Sequence, residues 1–64
     1  MLEAIVLWAI VSGQPKAVFH WAVADGDVMP TARVEEFLMG MCERERMALQ
    51  AIGHVAWCVP QRAL

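Results

Sequence analysis

Eight apolar residues in succession, Ala4 to Val11, stand near the start of a 64-residue chain and govern what it can fold into. A bilayer-spanning helix needs about 20 such residues, and Gln14, Pro15 and Lys16 interrupt any extension. The run is rich in β-branched and aromatic side chains and is bounded by Gly13 and Pro15, which predicts a strand over residues 2–12. Ile5, Leu7, Ala9 and Val11 fall on one side of such a strand, and Ala4, Val6, Trp8 and Ile10 on the other. A strand covered on one side alternates apolar with polar residues. One that is apolar on both sides asks for cover on both.

Composition makes that demand hard to meet. Hydrophobic residues form 59% of the chain, against roughly 45–50% in ordinary soluble domains even with glycine counted. A domain near this size buries only about 60% of the surface its unfolded chain exposes. The chain is read as a single domain, residues 1–64. Disorder does not fit so apolar a sequence. Five basic against seven acidic residues, net −2, argue against a polybasic nucleic-acid arm and make direct nucleic-acid binding an unfavoured reading. Arg33, Arg44 and Arg46 are moreover interleaved with Glu35, Glu36, Glu43 and Glu45.

Tyr and Asn are absent, and Ser12 and Thr31 are the single Ser and Thr. Hydroxyl and amide groups supply most nucleophiles and oxyanion donors, so a non-enzymatic protein is expected. Cys42 and Cys58 are too few for a disulfide scaffold, though one bridge is arithmetically possible. Both lie among apolar residues, and free buried thiols in a reducing cytoplasm are expected. Ala22-Val23-Ala24 has the small-x-small form of a signal cleavage site. Glu3 and the lack of any early Lys or Arg speak against secretion.

Along the chain, Ser12-Gly13-Gln14-Pro15 reads as a turn and residues 16–24 as the returning strand of a hairpin. In that strand Ala17, Phe19, Trp21 and Val23 share one face, and Lys16, Val18, His20 and Ala22 the other, subject to a one-residue slip. Asp25-Gly26-Asp27 reads as a loop, and Pro30-Thr31 as a helix opening with Thr31 as cap. The helix is expected over residues 31–52, with Gly53 as its terminating residue. Val34, Phe37, Leu38, Met41, Cys42, Ala48, Leu49 and Ile52 form a stripe roughly 140° wide. Glu45 falls at the centre of that stripe, where either a local curve or kink that lets it reach solvent near the helix end or a pairing with Arg or His would be needed. Met39 and Met47 fall outside it and could mark a second contact surface. Residues 54–59 read as a third strand stopped by Pro60, with a frayed tail over 61–64.

These elements give an α+β class, a small ββαβ domain with a three-stranded antiparallel sheet of order 2-1-3. One long helix packs on one face, joined by a right-handed crossover. The other face then lacks cover. An exposed apolar face of this kind marks an interaction site, and the interface residues expected are Val6, Trp8, Ile10, Val18, His20, Met39 and Met47. Glu35, Glu36 and Glu43 are candidates to face a basic partner surface. No cofactor is implied. His54 and Cys58 lie about 13 Å apart on a strand, too far to share a zinc ion. Asp25-Gly26-Asp27 lacks the later ligands of a calcium loop, and Gly13 and Gly26 make no phosphate loop. The expected function is that of a small protein-binding module, a homodimer that occupies a surface on a larger macromolecule in the manner of phage or mobile-element inhibitors of host proteins. An obligate structural subunit is the main alternative, and a small metal- or nucleic-acid-binding protein the third.

Overall fold

The computed structural model describes residues 2–23 and 31–63, the side chain of Thr31 excepted. The expected Asp25-Gly26-Asp27 loop, Pro30 and the Thr31 side-chain cap lie outside the described residues. The apolar run forms strand β1 (Leu2–Val11), and the chain reverses through Ser12 and Gly13 alone before β2 (Gln14–Ala22). Val11 pairs with Gln14, so the loop is two residues long. Ser12 at φ 53° and Gly13 at φ 80° supply the positive dihedrals that match a hairpin turn to strand twist. The turn is shorter than the sequence suggested. Pro15 sits inside β2, which is tolerated because β2 is an edge strand.

Helix α1 (Thr31–Ala51) follows, and then β3 (Ala56–Arg62). The strands lie in the order β2-β1-β3, with both pairings antiparallel, as expected. The helix ends in a Schellman arrangement: the Gly53 N–H donates to the Gln50 carbonyl at 3.0 Å, and the His54 N–H to the Leu49 carbonyl at 3.0 Å. Pro60 does not stop β3. On an edge strand a missing N–H breaks no ladder, so pairing continues to Arg62 opposite Leu2. The start also moves: His54 and Val55 precede the strand, and the Val55 carbonyl accepts from the Ile10 N–H at 2.9 Å.

Two irregularities decide which side chains share a face. Opposite Arg62 and Gln61 of β3, β1 carries one extra residue, the exposed Glu3 between Leu2 and Ala4. This bulge resets the alternation so that Leu2 joins Ile5 and Leu7 in one core cluster with Cys42. Opposite Leu7 and Trp8, β2 carries one extra residue, Val18, between Phe19 and Ala17. Beyond it Ala17 pairs with Trp8 and Lys16 with Ala9, so Ala17 moves to the open side and Lys16 to the helix side. The regular alternation expected for residues 16–24 therefore fails at Val18.

Cys42 and Cys58 are joined in a disulfide that ties the middle of α1 to β3. The expectation of free thiols is overturned. Cys58 stands opposite Leu7, on the helix side of the sheet, and Cys42 is fully buried above it. Burying side chains such as Ile5 and Leu7 contributes about 1.5–3 kcal/mol each, and both are at most 2% exposed.

The helix is seated differently from its apolar pattern. Val34, Leu38, Cys42 and Leu49 face the sheet, and Met39 packs beside them against the core. Phe37 and Ile52, members of the expected stripe, are 65% and 73% exposed. At 100° per residue, the packed face is rolled by roughly 60° from the centre of the apolar stripe. Glu45 is exposed for that reason. No ion pair of Glu45 is found among the described residues, and α1 runs unbroken from Thr31 to Ala51. Met39 lies on the packed side, which corrects its assignment to an outer contact surface, whereas Met47 is 61% exposed.

Candidate functional site

The face of the sheet opposite α1 carries no secondary-structure element among the described residues. Along β1 it presents Val6, Trp8 and Ile10, with the buried Ala4 at one end. Register places Val59 and Trp57 beside them from β3, and Ala22, His20, Ala17 and Pro15 from β2. Trp8 and Trp57 are direct cross-strand partners on this face. Val6, Trp8, Ile10 and Trp57 are half-buried, and Val59 is exposed. The sequence expectation thus gathers Val6, Trp8, Ile10 and His20 on one surface. It missed Trp57 and Val59, which follow only once β3 is paired in register with β1.

Val18 does not join that surface. As the bulge residue it turns to the other side and lines a groove of about 450 Å³ with Leu7, Phe19, Trp21, Met41 and Leu49. Arg44 and Glu45 complete the lining. The groove exists because α1 packs over β1 and β3 and leaves the inner side of β2 uncovered. Phe19 is 55% exposed there, stacked at 4.7 Å against Trp21 in a tilted arrangement. The molecule therefore has an apolar sheet face on one side and an apolar groove on the other.

The three candidate acids are not equivalent. Glu35 forms an ion pair with Arg62 at 2.7 Å, linking α1 to the end of β3. Glu43 accepts from Arg46 Nε at 2.6 Å, and Arg46 also donates to Gln50 at 2.8 Å. Only Glu36 of the three stands exposed and outside these pairs. An acidic ridge offered to a basic partner is correspondingly weakened, because two of its charges are already compensated within the chain.

Among the described residues no group of three or more His, Cys, Asp or Glu is arranged to hold a metal ion. Both thiols are consumed in the disulfide, which removes a Cys–His nucleophilic pair. Among those residues no helix is long and apolar enough to cross a membrane. No protein-family model matches this chain, and neither a curated protein nor a solved structure matches it significantly.

Proposed function

We propose that this chain is a small non-enzymatic protein-binding module that pairs with a second copy through its open sheet face and occupies a surface of a larger protein partner. The observation that carries the reading is the Trp8–Trp57 pair on a sheet face that no described helix or strand covers. Tryptophan is enriched at interface hot spots, and a flat apolar sheet face is self-complementary across a two-fold axis.

Overall dimensions support a missing partner. A compact monomer of 7.1 kDa exposes about 4,100 Å², whereas this chain exposes 4783 Å². The radius of gyration of 12.6 Å likewise exceeds the about 10.7 Å expected for a compact chain of this length. Extents of 38 × 22 × 13 Å describe a slab.

With the sheet faces stacked, the α1–β2 groove of each protomer remains outside and is available to the larger partner. Such binding makes an inhibitor or adaptor; assignment to the phage or mobile-element class rests on size alone. A cytoplasmic setting rested on free thiols, and the Cys42–Cys58 bond suits an oxidising compartment instead. The competing reading, a structural subunit, draws on the same two surfaces, since a second non-self-complementary contact would propagate an open assembly. Sedimentation equilibrium tests both. A discrete dimer is expected; a monomer at every accessible concentration overturns the paired state, and open-ended growth favours the structural subunit.

A further inference from the structure

We propose that the Cys42–Cys58 disulfide is a redox latch that holds the α1–β2 groove open. This goes beyond the binding function proposed above and does not depend on it. Three observations meet at this bond. The helix presents to the sheet a face centred on Cys42, flanked by the half-buried polar residues Glu35, Glu43 and Arg46. Its more apolar flank, Phe37 and Met41, is left at 65% and 38% exposure. Across the groove from that flank, Phe19 is equally uncovered. Burial of apolar area alone would bring these side chains together, at about 25 cal/mol per Å². The covalent tie from Cys42 to edge strand β3, together with the packing of Leu38, Met39 and Leu49 on the core, seats the helix over β1 and β3 instead.

Release of the tie lets α1 move toward β2, placing Met41 and Phe37 over Phe19 and closing the groove. Glu45 lies on the flank that would turn inward. The β2 bulge has brought Lys16 to the helix side of the sheet, where its ammonium can receive that carboxylate. Release requires an external dithiol. Its thiolate attacks the sulfur of Cys58, a half-buried residue of the edge strand, while Cys42 is fully buried. The S–S electron pair passes to Cys42 Sγ, which takes a proton. The second thiol of the reductant then attacks the mixed disulfide and releases the Cys58 thiolate, which is protonated in turn. Two electrons and two protons enter the protein, and the reductant leaves as its own disulfide.

The test compares the oxidised chain with the same chain under excess dithiothreitol, at one protein concentration, by circular dichroism and two-dimensional NMR. A hydrophobic dye reports on the groove, with Phe19→Ala in the oxidised chain as the control that the signal arises there. Retained helix content, new Phe19–Phe37 and stronger Phe19–Met41 cross-peaks, and a several-fold loss of dye binding are expected on reduction. Identical cross-peaks and dye binding in the two states overturn the latch and leave the bond as a staple. Unfolding on reduction does the same. The Cys42→Ala/Cys58→Ala variant, which carries no thiol to re-oxidise, should reproduce the closed state; an open groove in a folded variant also overturns it.

Discussion

Trp8 and Trp57 face each other across the β1–β3 pairing, on the side of the sheet that α1 does not cover. Changing Trp8 to Asp puts a carboxylate in the middle of that surface and leaves the helix-side core untouched. Hot-spot truncations cost about 2 kcal/mol or more, equivalent to roughly a 30-fold weaker association. Sedimentation of Trp8→Asp should therefore show monomer where the parent chain shows dimer, with an unchanged circular dichroism spectrum. An equally strong dimer would remove the sheet face from consideration.

How much of this was legible in the sequence depends on which residues carry it. The strand order and the open face follow from Ala4–Val11, because one helix cannot cover two sides of a strand apolar on both. The groove was not legible. It arises from a bulge at Val18 and a helix rolled off its apolar stripe, and periodicity assumes neither. The disulfide was hidden for a similar reason: Cys42 and Cys58 are separated by 16 residues, and nothing local brings them to a Cα separation of 6.2 Å. Only the pairing of Cys58 opposite Leu7 places it under the helix. Met39 was misplaced by the same roll that exposes Phe37.

Gly53 holds φ at 94° and closes the helix through its own N–H and that of His54. Nothing lies within 4 Å of an added Cβ, so the cost of a side chain is conformational. Gly53→Ala should destabilise the fold by about 1–2 kcal/mol, the cost of a left-handed residue other than glycine. Thermal melting should record this as a fall of several degrees, on the order of 4–8 °C per kcal/mol for so small a domain. An unchanged midpoint would show that the helix end is not constrained at Gly53.

Ser12 carries the opposite opportunity. It occupies a positive φ of 53° at the first loop position of a two-residue hairpin, where Asn and Gly are favoured. Ser12→Asn should raise stability by a few tenths of a kcal/mol to about 1 kcal/mol, since Asn bonds locally in this region. Urea denaturation should show a higher midpoint with an unchanged slope. A lower midpoint would point to a turn of another type.

Ile5 is fully buried between sheet and helix, opposite Trp21 on β2 and Pro60 on β3. Truncation to Ala removes three carbon atoms from the centre of a small core and should cost about 2–5 kcal/mol. For a domain whose whole stability falls near the low end of about 5–15 kcal/mol, that is close to complete unfolding at room temperature. Hydrogen exchange of the β1 amides should accelerate accordingly.

Glu35 and Arg62 link α1 to the end of β3 at 2.7 Å, although both side chains remain substantially solvated. Attraction across such a pair is screened by water and partly offset by ordering two long side chains, so exposed pairs contribute about 0.2–1 kcal/mol. A double-mutant cycle on Glu35→Ala and Arg62→Ala isolates that coupling from the loss of each side chain's packing. The coupling should fall in this range at low ionic strength and shrink toward zero in 1 M salt, where the screening length is about 3 Å. A larger, salt-insensitive coupling would mean that the pair is more deeply enclosed than its exposure implies, as it would be if a partner chain covered it. The same cycle repeated above and below the dimer dissociation concentration would separate those two causes. A coupling independent of concentration assigns the pair to the protomer alone.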